Sequence, residues 1–432
     1  MTGSANDQKR VLVLSYYFPP LGMSGVQRIT KFVKYLPDFG WQPSVISSRP
    51  YSYFAFDGSL TNDIPDDISV TRTRSLDPTR WRLKPGTVTI PSSGRHGTLR
   101  SISNRFFVPD NKILWVPFAR NAAIRAMRAE RFDMIFSTAP PYSSHMLAVE
   151  LGDRFKVPVV TDFRDNWVGN PRTVFASDRQ RLKHERLERK VLEMSNHVVT
   201  INSHIREDLV ARSSLPDRRF SVIEQGYDAQ DFKGLAHEKK TEDVTFLYSG
   251  VFYDAQKPDA FLHGLARARN ADTSVSKHTR AVFVGLVPEN FSVLVEELKL
   301  GDVVRHTGYM DHDQALAMLM QSDIPWLTVG HQRGEEQIST GKLAEYVGTR
   351  KPILGLVPDG AASRLLHEYG DSVVVDPDDI EAIAGAIVSL TNRCRANGGG
   401  KPNEQLIQRL ERKRLTGELA QVFNNAWIQR SE

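Results

Sequence analysis

Residues 338–346 read I-S-T-G-K-L-A-E-Y, and the rest of the chain makes sense around them. Ser339 and Thr340 carry hydroxyls suited to accept from the free N–H groups of a first helical turn. Gly341 has no side chain, so a ligand can approach the backbone there. Lys342, Leu343, Ala344 and Glu345 then open a helix expected to stop near Gly348. A helix start with exposed N–H groups, a hydroxyl and a lysine suits a phosphate. Glu345, four residues after Gly341, lies one turn further on the same face. A carboxylate there repels phosphate but accepts from a pair of sugar hydroxyls. The arrangement suits a diphosphate joined to a ribose, as in a nucleotide-sugar. An ordinary capped helix with an exposed glutamate is the plainer alternative.

The chain has 432 residues, room for two or three domains at roughly 100–200 residues each. With 40% hydrophobic and 25% charged residues it reads as a globular protein with a proper core. A single cysteine, Cys394, excludes an intrachain disulfide and points to a reducing cytoplasm. Residues 1–10 are polar and the apolar run 11–14 is short, which fits neither a signal peptide nor a membrane span. The net charge of +5 allows an anionic partner without choosing one.

Residues 11–15 form a short apolar run, the mark of a strand buried on both faces of a parallel sheet. Y-Y-F-P-P follows at 16–20, then Gly22, Ser24 and Gly25, then a helix over 26–36. Strand, glycine-containing loop and helix open a nucleotide-type βα unit, but the pattern is not G-x-G-x-x-G. Its aromatics and prolines suit an acceptor substrate better than a dinucleotide, and Tyr16, Pro19, Gly22 and Gly25 become candidate acceptor contacts. A plain βα connection is the alternative. Further strands are expected over 41–47, 133–137, 157–161, 197–202 and 220–224, alternating with helices. One of those helices carries His145, read as structural or acceptor-facing. Polar residues mass after the strand at 157–161, in D-F-R-D-N-W, where open α/β sheets bind ligands. Residues 1–235 thus form one doubly wound domain, with a loop or insertion over about 51–115. A polar linker precedes a second α/β series over 243–400, and 401–432 are expected to add helices. The last of them is amphipathic and expected to pack on the first domain.

Between residues 72 and 131 stand thirteen Lys and Arg against three Asp and Glu, interleaved with Trp81, Phe106, Phe107 and Trp115. That imbalance suits an anionic membrane surface or an anionic acceptor. A solvated loop is the alternative. No recognised nucleic-acid module accompanies it.

Four stretches taken together resemble the family 4 (GT4) retaining glycosyltransferases. They are Y-Y-F-P-P-L-G-M-S-G-V-Q-R, P-V-V-T-D-F-R-D-N-W, V-I-E-Q-G-Y-D and S-T-G-K-L-A-E-Y-V-G-T-R-K-P-I-L-G, in the family's order from residue 10 to about 392. The resemblance implies the GT-B fold: two doubly wound, Rossmann-like domains facing across a cleft. It implies a nucleotide-sugar donor, no metal, and a glycan or lipid-linked acceptor in polysaccharide or glycoconjugate synthesis. The single cysteine and the basic 72–131 region point to a cytoplasmic enzyme, peripheral on the inner face of the cytoplasmic membrane. Glu345 matches the second Glu of the family's E-x7-E signature, on the donor ribose. The first would stand at Gln337, where Glu335 or Glu336 substitutes or the amide itself holds a sugar hydroxyl. Lys257 matches a diphosphate lysine after Gly250, whereas Val251 stands where relatives carry Arg. Gly308, Tyr309 and Leu343 join the expected donor contacts. Arg164, followed by Asp165, occupies the place of the family's active-site His. An arginine stays protonated and cannot be a base, so Arg164 pairs with acceptor, phosphate, Asp162 or Asp165. Arg164, Asp165, Lys257 and Lys342 are the residues expected to carry the chemistry.

Asp376-Pro377-Asp378-Asp379 looks like a D-x-D metal motif but precedes a helix, so a turn with an N-cap is expected. The histidines show no H-x3-H or HExxH spacing. Two rivals remain: a nucleotide-sugar 2-epimerase on the same fold, and a silent scaffold of a glycan assembly complex, for which Val251, Gln337 and Arg164 speak.

Overall fold

The computed structural model describes residues 8–53, 55–78, 86–87, 107–170, 173, 175–235, 242–252, 255–396, 398 and 400–429. The chain divides into two compact units. One takes the described residues up to Glu224 and those from Arg412 onward, and the other is Gln225–Glu411.

The first unit is a parallel sheet of seven strands. In chain order they are β1 (Lys9–Leu14), β2 (Trp41–Ser48), β3 (Ser69–Thr73), β4 (Met134–Ala139), β5 (Val159–Phe163), β6 (His197–Thr200) and β7 (Phe220–Val222). In space the order is β3-β2-β1-β4-β5-β6-β7. Alternate residues serve opposite faces, as the strand pleat requires. Leu12 and Leu14 join one core with Ile135, Val159 and Phe163. Val11 and Val13 join the other with Phe136, Val160 and Val199. Helix α1 (Ser24–Tyr35) follows β1 and buries Ile29, Phe32 and Val33. Strand β3 departs from expectation, since its segment was read as loop. It is an edge strand, half of it facing outward, and S-V-T-R-T lacks the continuous apolar run of its neighbours.

The second unit carries β8 (Val244–Val251), β9 (Thr279–Leu286), β10 (Val304–Gly308), β11 (Ile324–Thr328), β12 (Ile353–Leu356) and β13 (Ser372–Val375). Their spatial order is β10-β9-β8-β11-β12-β13, all parallel. Helix α2 (His312–Gln321) leads from β10 to β11, and helix α3 (Gly341–Gly348) follows β11. Strand order reverses between β1 and β4 in one sheet and between β8 and β11 in the other. Such switch points open a crevice at the carboxyl ends of the strands.

The unit boundaries differ from the expected 235 and 400. Residues from 225 onward belong to the second unit because Tyr227 N–H donates to Leu410 O at 3.1 Å. A Cβ on Gly348 would lie 2.7 Å from the Tyr227 ring, so ring and helix pack only through that missing atom. The short helix Glu404–Arg409 stays there too, burying Leu406 and Ile407. Helix α4 (Arg412–Ile428) returns to the first unit. Its Phe423 meets Trp41 and Phe136 edge-on at 5.2 and 5.3 Å. Leu415, Leu419 and Ala426 complete that core.

Candidate functional site

In the second unit the site is built where β8 ends. Gly250 has φ +130°, a conformation that favours glycine. A Cβ there would overlap the Lys342 side chain, which crosses directly above. Gly285, paired with Gly250 on β9, has φ +117°, and a Cβ on it would overlap the Gly250 carbonyl. Two side-chain-free positions therefore sit together at the strand ends. Lys342 Nζ donates to the Tyr248 hydroxyl and, at 3.1 Å, to Val251 O. It also lies 4.3 Å from the Tyr248 ring centre. Burial pushes the Lys342 ammonium down to about 7, and Glu345 opposes the shift. Val251 is buried and contributes only its carbonyl, so the arginine that relatives place here has no counterpart at this position.

Helix α3 begins at Gly341 with Thr340 in the N-cap position, at φ −89° and ψ 139°. Contrary to expectation, no side-chain cap hydrogen bond is made at this helix start among the described residues. Thr340 Oγ1 is buried and has no hydrogen-bond partner among the described residues. A buried hydroxyl without a partner carries a desolvation cost of roughly 1–3 kcal/mol. The open helix end and the orphaned hydroxyl together fit an anionic ligand. Leu343 is fully buried and anchors the helix rather than meeting a ligand.

Glu345 is not an isolated exposed carboxylate. His312 Nε2 donates to its Oε1 at 2.8 Å. Gln337 closes a one-turn helix, Glu335–Gln337. Glu335 is engaged by His331 and by the Gln332 N–H, one on each oxygen. Lys257 is exposed, on a loop whose Ala255 carbonyl a Cβ on Gly330 would overlap. Gly308 has φ +79° with open space before it, and Tyr309 follows half-buried. Asp376 and Asp379 behave as turn and cap, accepting from Asp378 and Ala382 N–H groups at 2.9 Å.

In the first unit the expected acceptor contacts divide. Gly25 stands at the start of α1, where a Cβ would overlap the Arg164 guanidinium. Arg164 also donates from Nε to Ala139 O at 3.1 Å and from Nη2 to Pro140 O at 2.8 Å. It makes no pair with Asp162, whose carboxylate is taken by Arg28. Arg28 and Asp162 are fully buried, joined at 2.9 and 3.2 Å. Arg28 also donates to Ile223 and Glu224 carbonyls, at 2.9 and 2.8 Å. Burial alone would raise the Asp162 carboxyl; Arg28, Arg164 and Thr138 outweigh it and hold it below the ordinary value. Asp165 follows half-buried, its carbonyl accepting from Tyr142.

Four expected acceptor residues are interior. Tyr16 is buried, its hydroxyl on Asp77 at 3.0 Å and its ring against Trp115. Pro19 and Gly22 are buried as well. His145 is fully buried, bonded through Nδ1 to Ser137 Oγ at 2.7 Å and pushed down to about 3 by burial. It packs at 4.5 Å from Phe163 and is a core histidine, not an acceptor contact. The partly buried Tyr17 and Tyr53 have rings 4.9 Å apart, and both feel the Arg164 charge.

Some described residues of the basic 72–131 segment turn inward. Lys112 is buried against Asp77, Arg72 donates to Pro19 O, and Trp115 is fully buried. Residues 79–85 and 88–106 of that segment, including Trp81 and Phe106, lie outside the described residues. No helix among the described residues is long and apolar enough to cross a membrane.

Residues 24–231 match the model of Glycosyltransferase Family 4. No curated protein matches the chain in sequence. Solved structures do match in fold. HepE from Anabaena, in complex with UDP, is 12% identical, covering 97% of this chain and 100% of that one at a TM-score of 0.61; its complex with UDP-glucose is also similar. Sucrose-phosphate synthase from Thermosynechococcus elongatus is 14% identical, covering 98% and 100%, with a TM-score of 0.60. A putative UDP-N-acetylglucosamine 2-epimerase from Listeria monocytogenes is 12% identical, covering 95% and 94%, at 0.53. At these identities the likeness establishes the architecture, two Rossmann-like domains of the GT-B fold. It does not separate transferase from epimerase.

Proposed function

We propose that the chain, whose residues 24–231 match the family 4 glycosyltransferase model, is a glycosyltransferase that moves a sugar from a nucleotide-sugar to a glycan or lipid-linked acceptor, with retention. The observation that carries the donor half is the start of α3. An uncapped helix end, the unpartnered Thr340 hydroxyl and a half-neutral Lys342 converge on one place at a switch point. Diphosphate chemistry would complete all three. Glu345, one turn on, then receives the ribose diol. HepE binds UDP and UDP-glucose, and a uridine donor is the first to test here.

In transfer the leaving diphosphate gains negative charge as the sugar bond breaks. What it needs is a set of fixed donors. Lys342 and the N–H groups of Gly341 and its neighbours supply them, with Lys257 reaching from its loop; metal is not required in this scheme. One exposed helix end contributes only about 0.3–1 kcal/mol, up to ~2 when partly buried, so several donors must act together. Arg164 stays protonated and orients an acceptor or phosphate beside Gly25 rather than taking a proton. Asp165 stands next to it. The setting is polysaccharide or glycoconjugate synthesis in the cytoplasm, with the protein peripheral on an anionic membrane face through its basic segment.

The test is thermal-shift binding of UDP-, GDP-, ADP- and TDP-sugars, followed by donor turnover in wild type and Lys342→Ala. Selective stabilisation by one nucleotide, with turnover lowered ~10²–10³-fold in the variant, is expected. No stabilisation and no donor hydrolysis would leave the silent scaffold as the better account.

A further inference from the structure

We propose that His312 is a positioning residue for the donor ribose: it holds the Glu345 carboxylate in the orientation that accepts the 2′,3′-diol. The proposal rests on the donor reading above and adds a residue to it.

His312 is the first residue of α2, at the end of the turn that follows β10. Glu345 is in the second turn of α3, 33 residues along the chain. Their side chains are only 12% and 17% exposed, and the Nε2–Oε1 distance is 2.8 Å. The bond therefore joins two separate helices near the carboxyl ends of β10 and β11. A carboxylate accepts about four hydrogen bonds. The imidazole takes one oxygen's position and leaves the other free to face a diol.

Lys342 gives the pairing its purpose. It lies three residues before Glu345, where helical side chains meet. A mobile Glu345 would swing onto that ammonium and neutralise the cation that the diphosphate needs. In the structure Lys342 instead donates to Tyr248 and Val251, and Glu345 is drawn to His312. The histidine thus keeps two opposite charges on one helix face apart, one for each part of the donor.

A histidine that merely packs would support every ligand alike. One that orients Glu345 acts on the ribose hydroxyls alone. The experiment titrates wild type, His312→Leu, His312→Gln and Glu345→Ala by calorimetry with UDP, GDP and ADP, then with the 2′-deoxy form of whichever binds. The melting temperature of each unliganded variant is measured alongside. His312→Leu fills the ring's space without an N–H, whereas the Gln amide stands where Nε2 stood. Wild type should prefer the ribonucleotide by roughly tenfold, the scale of one hydrogen bond to a charged group. His312→Leu should lose that preference by weakening the ribonucleotide only, and His312→Gln should retain most of it. Equal weakening of ribo and deoxy forms, or an unchanged His312→Leu, would overturn the positioning role while Glu345→Ala still lost binding. Full ribo preference in Glu345→Ala would overturn both residues' assignments. Wild type that binds none of the three nucleotides would overturn the donor reading itself.

Discussion

On the proposed donor reading, Lys342 makes donor binding a proton-linked event. In the free protein burial holds its ammonium near 7. A bound diphosphate places negative charge beside it and restores the ordinary lysine value of about 10.4. Above pH 7 the donor therefore has to draw a proton into the site. With those two values the apparent affinity falls about 30-fold between pH 6 and 8.5, or ~2 kcal/mol at ~1.4 kcal/mol per unit. At pH 8 the free lysine is about one-tenth protonated, so each donor bound takes up about 0.9 proton. UDP-glucose is a suitable probe, because its diphosphate has no ionisation in this range. Calorimetry in buffers of different ionisation enthalpy reads the proton count directly. Lys342→Arg is the control: the guanidinium stays charged, so its affinity should be flat across the same range. A flat wild-type profile, or an unchanged slope in Lys342→Arg, would refute the reasoning.

Other consequences follow from contacts outside that lysine. Asp162→Ala should cost about 3–5 kcal/mol in denaturant unfolding, since it strands Arg28 uncompensated in the core. Gly250→Ala strains a φ of +130° and displaces Lys342; stability should fall by about 1–3 kcal/mol and donor turnover should fall with it. His331 lies between Glu335 and Asp376, at 3.0 and 3.1 Å, and they raise its pKa above 6.5. Its charged form supports the 331–337 loop, so that support is full at low pH and lost as pH rises through the raised value. Hydrogen exchange of the loop across pH 6–8 should show this, and His331→Gln should abolish the trend. Ending the chain at Glu411 should leave the first unit insoluble, because Trp41 and Phe136 lose Phe423; solubility on expression checks it.

The fold was legible wherever burial was complete. Continuous apolar runs such as Val11–Leu14 can only be strands covered on both faces, and their alternation with helices gives the doubly wound plan. β3 escaped because an edge strand needs no such run. The candidate donor stretch was readable because its helix start, lysine and glutamate fall within one local segment, 338–346. Pairings across the fold were not. Nothing local in Arg28 announces Asp162, 134 residues away, or in His312 announces Glu345. The acceptor residues misled for a related reason. Tyr16 and His145 have polar tips, and only the tertiary structure shows them turned inside, onto Asp77 and, through the His145 Nδ1, onto Ser137.

The return of α4 to the first unit bears on the order in which the protein can be born. Gln225–Glu411 is one uninterrupted piece, so everything its core requires has been made before α4 is translated. The first unit waits: Phe423, which seals one face of its sheet, is translated only after the whole of Gln225–Glu411. Domains made first usually fold first. Here the later-made half can finish while the earlier-made half still exposes apolar surface, which makes the nascent first unit the natural client of a chaperone.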